Sequence, residues 1–250
     1  MASFLESLFH KNPEFLEQTR HIYSTANHIQ HIYGKSFFSA EDTQTILEDW
    51  PSIDDSRWNC LQRMVEFGVG KKLEIAKYEQ MPQRIASILQ KLQTKEFVES
   101  IESITGIPNL KSDLDLYGGG MVYTPSGGFL KVHADFNYYE KLKMYRRINL
   151  IVYMNELWPS EWKGNIEFWN EEMTLKVLDY PPYVNTFLLF RVNDKAFHGY
   201  PEPIQCPANE GRKSLNFYFY STEPDSEQSI EPHKTIWKDQ TNQQLQEKNY

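Results

Sequence analysis

Two residues near the middle of the chain have the types and spacing of metal ligands. His133 and Asp135 are separated by one residue in the run 131–137. Because alternate residues of a β-strand point to the same face, an extended backbone would direct this imidazole and this carboxylate the same way. One histidine and one carboxylate are two of the three ligands of the 2-His-1-carboxylate site that holds non-heme Fe(II). The pattern is short, and a surface histidine beside a solvated aspartate is the alternative interpretation.

Residues further along the chain could complete such a site. His198 is the candidate for the third ligand, because a late strand could lie across a β-barrel from the first pair. Arg212 and Ser214 begin the last strongly apolar run. Arginine has a rigid, permanently charged fork that binds a carboxylate through two hydrogen bonds, and a serine on the same strand face adds a hydroxyl donor. Taken alone, Arg212 would be interpreted as a solvated turn residue after Gly211.

The elements that would position these residues differ between the two halves of the chain. Up to about residue 100, apolar residues recur at helical spacing, and the pattern predicts helix starts near Pro13, Ser39 and Pro82. A further helix is predicted over 57–67. The character of the sequence changes near Gly106.

From Leu114 onward, short aromatic and β-branched runs alternate with Gly, Pro and Asn. Predicted strands cover 148–154, 165–169, 185–190 and 214–220. This pattern predicts an α+β fold, a double-stranded β-helix (jelly roll) core with an N-terminal helical region packed against it.

We expect a single domain over residues 1–250. Its predicted parts are a mainly helical support region at 1–113, a jelly-roll core at 114–221 and a polar tail at 222–250. The tail is predicted to be a surface segment in which only Ile236 and Trp237 offer an anchor.

Composition and charge exclude several classes of protein. The chain has 26 basic and 34 acidic residues, so its net charge of −8 argues against nucleic-acid and anionic membrane partners. The two cysteines, Cys60 and Cys206, suit a reducing compartment. The N-terminus does not have the features of a signal peptide, and no run approaches the ~18 apolar residues of a membrane span. We therefore expect a cytoplasmic protein, with a homodimer as an open option.

The order His-x-Asp, several strands, His, then Arg-x-Ser resembles that of the Fe(II)/2-oxoglutarate-dependent oxygenases, and within them the prolyl-4-hydroxylase-like branch. The resemblance covers about residues 114–221. Tyr123 stands upstream of the first histidine, where that branch often has a tyrosine in the cosubstrate pocket. Further similar segments are Tyr-Met-Asn at 153–155, Gly-Asn-Ile-Glu-Phe at 164–168 and His-Gly-Tyr-Pro-Glu-Pro at 198–203, the last of which matches a bacterial subgroup of unknown substrate.

The resemblance implies a role for each candidate residue. The implied Fe(II) ligands and catalytic residues are His133, Asp135 and His198. The implied 2-oxoglutarate-binding residues are Arg212, Ser214 and Tyr123. The family uses these groups with O2 to oxidise a C–H bond and releases succinate and CO2, and ascorbate would be an added stimulant.

The resemblance does not identify the substrate. The candidate substrate-binding residues are Phe136, Asn137, Tyr138, Tyr117, Arg146 and Trp169. They either follow the first two ligands or are aromatic or basic residues near the expected barrel mouth, although strand aromatics are more often core residues. The residue that grips the carboxylate differs from that of the collagen-type and oxygen-sensing relatives, so their protein-prolyl substrates do not carry over.

We expect hydroxylation of a small molecule, an amino acid or a peptide-borne side chain. Desaturation and ring closure would use the same site, whereas halogenation is disfavoured because Asp135 is present. The alternatives from other classes are a non-enzymatic jelly-roll binding module and a cupin-type isomerase.

Overall fold

The computed structural model describes residues 2–60 and 68–238. Within these ranges the helices are α1 (Phe4–Phe9), α2 (Pro13–Thr25), α3 (Ala40–Glu48), α4 (Gln83–Gln90) and α5 (Lys95–Thr105). Short 3-10 turns lie at Tyr78–Gln80, Lys91–Gln93 and Ser160–Trp162.

Local sequence signals explain where the helices begin. Helix α2 has proline at its first turn, and the side chain of Asn12 accepts hydrogen bonds from the next backbone N–H groups. Helix α3 begins after Ser39, whose hydroxyl accepts from the Asp42 N–H. Helix α5 ends at Gly106 with a left-handed φ of 73°, a conformation that costs glycine little. The helix starts predicted near Pro13, Ser39 and Pro82 are confirmed.

The strands form two antiparallel sheets. Those of the major sheet are β1 (His31–Lys35), β2 (Asn59–Cys60), β4 (Leu73–Ile75), β5 (Lys111–Ser112), β6 (Gly120–Pro125), β8 (Tyr138–Tyr139), β9 (Met144–Tyr153), β12 (Thr186–Arg191) and β14 (Gly211–Ser221). Those of the minor sheet are β3 (Val69–Gly70), β7 (Phe129–Ala134), β10 (Ile166–Trp169), β11 (Lys176–Tyr180), β13 (His198–Tyr200) and β15 (Ile236–Trp237). The major sheet has the order β1–β12–β9–β14–β6–β4–β2, and the minor sheet has the order β11–β10–β13–β7–β15.

The central strand β9 contributes alternate residues to two hydrophobic clusters, one on each side of the major sheet. Ile148, Leu150 and Val152 are buried in the cluster that the helices share with the major sheet. Ile151 and Tyr153 point the other way, into the cluster between the two sheets. Since alternate strand residues face opposite sides, this strand must be apolar on both faces, as strands buried on both sides are. Helices on one side and a second sheet on the other confirm the predicted α+β class.

The N-terminal region contributes strands as well as helices. Strand β1 pairs with β12, and β4 pairs with β6, so both belong to the major sheet. The helix predicted over 57–67 is not seen in its described part, where Arg57 lies in a turn and β2 follows at Asn59–Cys60. Residues 61–67 lie outside the described residues.

Residues 222–238 were predicted to form a surface tail, but part of this segment is buried and paired with the minor sheet. Asp225 and Gln228 are buried, and β15 pairs with β7. Asp225 forms ion pairs with Arg147 and Arg191, which compensates the burial of its charge. Polar composition suggested solvent exposure here, but these polar residues are paired inside the protein. The remainder of the tail, 239–250, lies outside the described residues.

None of the helices in residues 2–60 and 68–238 has the length and apolar character needed to cross a lipid bilayer.

Candidate metal and cosubstrate site

The structure brings His133, Asp135 and His198 together. Strand β13 pairs with β7 so that the two histidines are register partners, with ring centroids 4.5 Å apart. Asp135 follows the last residue of β7. Its Oδ1 lies 3.5 Å from Nε2 of His133, and its Oδ2 lies 3.7 Å from Nε2 of His198. One ligand atom from each residue lies within 4.8 Å of the others, a spacing that allows all three to bind one metal ion.

Backbone carbonyls orient both imidazoles. Nδ1 of His133 hydrogen-bonds to the Lys131 carbonyl at 2.9 Å, and Nδ1 of His198 to the Ala196 carbonyl at 2.8 Å. A ring nitrogen facing a carbonyl must carry the proton, so each Nε2 has its lone pair directed into the site. Burial lowers the pKa of His198 to about 4, which keeps this ring neutral at pH 7. Neutral imidazole is the form that binds metals.

Asp135 is held as an ionised carboxylate. Arg146 lies 3.1 Å from its Oδ2, and the Asn149 side chain donates to the same oxygen at 2.8 Å. Burial by itself would raise the pKa of Asp135, but the charge of Arg146 outweighs it and holds that pKa well below its ordinary value. The Nε of Arg146 also donates to Asn149 at 2.8 Å, so the three groups fix one another in place.

A second group of side chains has unused hydrogen-bonding capacity. Nη2 of Arg212, Oγ of Ser214 and the Tyr153 hydroxyl are all buried, and none has a hydrogen-bond partner in the described part of the chain. Arg212 donates through Nε to the Gly164 carbonyl at 2.8 Å, and its guanidinium lies over the rings of Tyr153 and Tyr200. Buried donors without partners are costly, so this arrangement fits an anionic ligand that would accept from them.

One cavity of about 570 Å³ connects the two groups. It lies between the sheets and is lined by the three candidate metal ligands together with Arg212 and Ser214. This volume falls within the range usual for small-molecule sites. The residues predicted to bind a metal and those predicted to bind a carboxylate therefore line one cavity.

Tyr123 does not line this cavity, contrary to its predicted cosubstrate role. In the register of β6 with β14, Tyr123 pairs with Lys213 while Val122 pairs with Ser214. Tyr123 therefore lies on the helix-facing side of the sheet, where its ring is 6.0 Å from that of Trp58. The tyrosines that contact Arg212 are instead Tyr153 of β9 and Tyr200 of β13. Which residues of β6 share a sheet face with Ser214 depends on the register of β6 with β14, and the sequence does not give that register.

Three predicted substrate residues line the cavity. Tyr117 is half exposed and stacks on Tyr139 at 4.8 Å, and it contacts Phe136 edge-on at 5.8 Å. Arg146 also lines the cavity, but its guanidinium is engaged by Asp135 and lies 3.5 Å from the ring centroid of Tyr218. The structure therefore places Arg146 as support for the aspartate, which leaves little capacity for an anionic substrate.

The other three predicted substrate residues are not among those that line the cavity. Asn137 is buried, and its amide donates to the carbonyls of Ser229 and Glu231. Tyr138 lies in β8, which pairs with β9, and Trp169 donates to the Glu167 carboxylate at 2.9 Å. Proximity in sequence to the ligands was misleading because the chain turns away from the cavity after Phe136.

Several cavity residues were missed from the sequence. They are Lys72, Glu74, Asn149, Asn216, Tyr218 and Trp237. Asparagines inside otherwise apolar strands were a usable signal, because a buried amide needs partners. Lys72 and Glu74 lie in a region that was expected to be helical. Trp237 lies in the predicted tail, and its ring is 4.9 Å from that of His133.

The attachment of residues 229–238 is expected to weaken at alkaline pH. Nε2 of His233 lies 2.9 Å from Oδ1 of Asp194, and Asn137 accepts from the His233 N–H. Burial would lower the pKa of His233, but the hydrogen bond and charge of Asp194 raise it above the ordinary value of about 6.5. A raised folded-state pKa contributes stability that is complete below pH 6.5 and is lost as pH rises through the folded-state value. Titration of the His233 ring by NMR, together with hydrogen exchange of 229–238, measures this effect.

Asp194→Asn is the matched control, because it removes the charge and keeps the shape. It should return the His233 pKa towards the ordinary value and flatten the pH dependence of exchange. A wild-type pKa at or below 6.5 would contradict the prediction.

The chain was compared with families, curated proteins and solved structures. Residues 119–220 match the family model described as the 2OG-Fe(II) oxygenase superfamily. The search of the curated proteins gives no match. Among the solved structures, a prolyl-4-hydroxylase from Pseudomonas putida has a TM-score of 0.50 at 15% identity and covers 81% of this chain and 98% of its own.

Two further structures show the same fold. A prolyl hydroxylase from Trichoplax adhaerens, in complex with a hypoxia inducible factor peptide fragment, has a TM-score of 0.50 at 13% identity over 84% of this chain and 92% of its own. HygX from Streptomyces hygroscopicus, with nickel, 2-oxoglutarate and hygromycin B bound, has a TM-score of 0.53 at 10% identity over 82% and 87%. The jelly-roll prediction is thereby confirmed. The family match over 119–220 and the His-Asp-His arrangement within it make this part of the chain similar to the 2OG-Fe(II) oxygenase superfamily, whose members use Fe(II), 2-oxoglutarate and O2.

Proposed function

We propose that this protein is an Fe(II)- and 2-oxoglutarate-dependent dioxygenase that hydroxylates a C–H bond of a small-molecule, amino-acid or peptide-type substrate and releases succinate and CO2. The observation that carries the proposal is the pair of buried, unpartnered donors on Arg212 and Ser214, which line the same cavity as the His-Asp-His group. A carboxylate-bearing cosubstrate that also reaches a metal would satisfy both groups at once.

In this proposal Fe(II) is held by His133, Asp135 and His198. The metal supplies the activation of O2 and the oxidising power for the reaction. Arg212 binds the distal carboxylate of 2-oxoglutarate, and Ser214 donates to the same group. Tyr123 has no part in this arrangement because it lies on the other side of the sheet.

The surrounding residues keep the ligands oriented and the site dry. Arg146 and Asn149 hold one oxygen of Asp135, which leaves the other for the metal. The rings of Phe168 and Phe190 pack against His198, and Trp237 packs against His133. This apolar surround limits water around the histidines, and rigid ligands lower the cost of organising the site.

Hydroxylation is favoured over the other outcomes of the same site. Asp135 occupies the position that a halogenating site leaves for halide, so we propose no halogenation. Desaturation and ring closure remain alternative outcomes for a substrate of suitable geometry. We also propose that 1–250 works as one oxygenase domain, because β1 and β4 belong to the same sheet as β14.

The comparisons support a broad choice of substrate class. The relatives named above include a complex with a peptide fragment and one with hygromycin B. These are properties of those proteins. For this chain they motivate a screen that includes both peptides and small polar molecules.

The proposal predicts Fe(II)-dependent binding of 2-oxoglutarate and turnover to succinate. Purified protein is loaded anaerobically with Fe(II), titrated with 2-oxoglutarate by calorimetry, and then exposed to O2 with and without ascorbate while succinate is measured by NMR. A His133→Ala/His198→Ala double variant is the control and should lose metal-dependent 2-oxoglutarate binding. Iron-loaded wild-type protein that does not bind 2-oxoglutarate would refute the proposal and favour a non-enzymatic binding module.

A further inference from the structure

Strand β9 has an irregularity that brings Arg146 to the same face as Asn149. Residues three apart on a regular strand point to opposite faces, yet both of these line the cavity. The pairing of β9 with β14 explains this, because the register shifts by one residue between Arg146 and Ile148. Arg147 is the extra residue of this β-bulge, and bulges redirect the side chains beside them. The bulge thereby directs a cation towards Asp135.

Arg146 and Asn149 act on the same oxygen of Asp135. Nη2 of Arg146 lies 3.1 Å from Oδ2, and the Asn149 amide donates to that atom at 2.8 Å. Arg146 also donates through Nε to the Asn149 side-chain oxygen at 2.8 Å, which fixes the direction of both donors. Two donors on one oxygen withdraw electron density from the carboxylate, so Asp135 is a weaker ligand than a free aspartate.

Water does not screen the charge of Arg146. The residue is only 3% exposed, and its guanidinium lies 3.5 Å from the ring centroid of Tyr218 and 4.7 Å from that of Phe136. The Tyr218 hydroxyl donates to the Gly118 carbonyl at 2.8 Å, which holds this ring over the guanidinium. A charge in such a surround acts more strongly on its neighbours than a charge in water does.

The other charged residues that line the cavity are engaged elsewhere or face solvent. They are the pair Lys72 and Glu74 at 3.5 Å, Asp115 paired with Lys141 at 2.6 Å, the exposed Lys77, and Arg212 of the proposed carboxylate site. Among the cations that line the cavity in the described part of the chain, only Arg146 forms an ion pair with Asp135. The charge of the candidate ligand is therefore compensated by one residue.

This compensation favours a metal ion of lower charge. The two imidazoles bind a metal in their neutral form, and the negative charge of Asp135 is balanced by Arg146. Fe(III) carries one more positive charge than Fe(II), so a fixed neighbouring cation destabilises bound Fe(III) more than bound Fe(II). The residue that orients the carboxylate is thus also placed to bias the oxidation state of the metal.

We propose that Arg146 is a positioning residue that acts through Asp135 to keep the bound iron ferrous. It does so by lowering the affinity of the site for Fe(III) relative to Fe(II). The inference rests on the proposed function and goes beyond it, because it concerns the resting metal and is independent of the substrate. The bulge at Arg147 is the feature of β9 that makes it possible.

The test measures the midpoint potential of the iron-loaded protein without 2-oxoglutarate and without O2. In an anaerobic titration, each Fe(III) takes one electron from a reduced dye mediator and becomes Fe(II), and EPR measures the remaining Fe(III). Arg146→Gln removes the charge and keeps an amide donor, whereas Arg146→Met removes both. Each should shift the ratio of the two affinities towards Fe(III) by at least about tenfold, which lowers the potential by at least about 59 mV.

Arg146→Lys separates the charge from the shape of the side chain. It keeps the charge and loses the planar fork, so the affinity ratio should stay within about threefold of the wild-type value. A purely structural role predicts as large a change as in Arg146→Gln. Lys77→Met is the matched control, because it removes a positive charge from an exposed residue of the cavity lining. It should leave the potential unchanged, since water screens that charge.

Three results overturn the inference while leaving the proposed function intact. They are equal potentials for wild type and both neutral variants, a fall in Arg146→Lys as large as in Arg146→Gln, and loss of Fe(II) binding in both neutral variants. The last would make Arg146 a requirement of the site, whereas we expect Fe(II) itself to compensate Asp135 in these variants. Wild-type protein that binds no Fe(II) would instead refute the proposed function.

Discussion

Asp135→Ala is expected to abolish Fe(II) binding and to lower the free energy of unfolding by about 3–5 kcal/mol. The first effect follows because Asp135 is the carboxylate of the three-residue group. The second follows because Arg146 is only 3% exposed and would be left as a buried charge without its partner. Calorimetric metal titration and urea denaturation measure the two effects separately.

A second substitution distinguishes the two contributions. Asp135→Ala/Arg146→Met removes both charges and should recover most of the lost stability, since apolar residues often replace a buried ion pair without loss. It should not recover Fe(II) binding. Equal stability of the single and double variants would show that the Asp135–Arg146 pair is not what makes the single substitution destabilising.

Arg212→Ala is expected to weaken 2-oxoglutarate binding by about 30-fold or more, with Fe(II) affinity nearly unchanged. Truncating one partner of a buried charge pair costs about 2–5 kcal/mol, and about 1.4 kcal/mol is tenfold in affinity. The effect is large here because the guanidinium is 3% exposed, so water cannot replace it as a donor. The measurement is a 2-oxoglutarate titration of the metal-loaded protein.

The neighbouring residue supplies the control for charge alone. Lys213→Ala removes the same formal charge from a residue that does not line the cavity, and it should leave 2-oxoglutarate binding unchanged. Arg212→Lys should give an intermediate loss, because an ammonium lacks the planar two-donor geometry. Equal affinities for wild type and Arg212→Ala would place the carboxylate elsewhere.

The residues that cluster at the candidate site could be selected from the sequence because they have distinctive chemistry. His133, Asp135, His198 and Arg212 stand in a recognisable order, and the apolar runs of β9, β10, β12 and β14 predicted the sheets in which they lie or against which they pack. The bounds of the strands that carry the two histidines, β7 and β13, were not predicted. The prediction that His133 and Asp135 lie on the same face of one strand was less exact, because Asp135 lies just past the end of β7. Its direction is fixed by Arg146 and Asn149, which no periodicity predicts.

Residues whose position depends on long-range pairing were not predictable. Tyr123 was assigned to the cosubstrate pocket from the family resemblance, but the register of β6 with β14 turns it to the opposite face. A register shift of one residue moves every side chain of a strand to the opposite face of the sheet. Whether a strand residue faces the cavity therefore depends on the register, which only the folded sheet determines. Asn137 was expected at the substrate and instead anchors the backbone of 229–233. Glu74 was missed because its short strand has no periodic signal of its own.

The pairing of β15 with β7 also determines how a polypeptide could approach the metal. On one side β7 is bonded to β13, and on the other its two ends are bonded to β3 and β15. A peptide therefore cannot bind here by adding a strand beside the histidine-bearing strand, which is a common way for a sheet edge to capture an extended chain. A polypeptide that reaches the cavity must instead insert a side chain or a terminus. A protein shortened before Trp237 would uncover that edge, lose the ring that packs on His133, and gain a new surface for unwanted strand pairing.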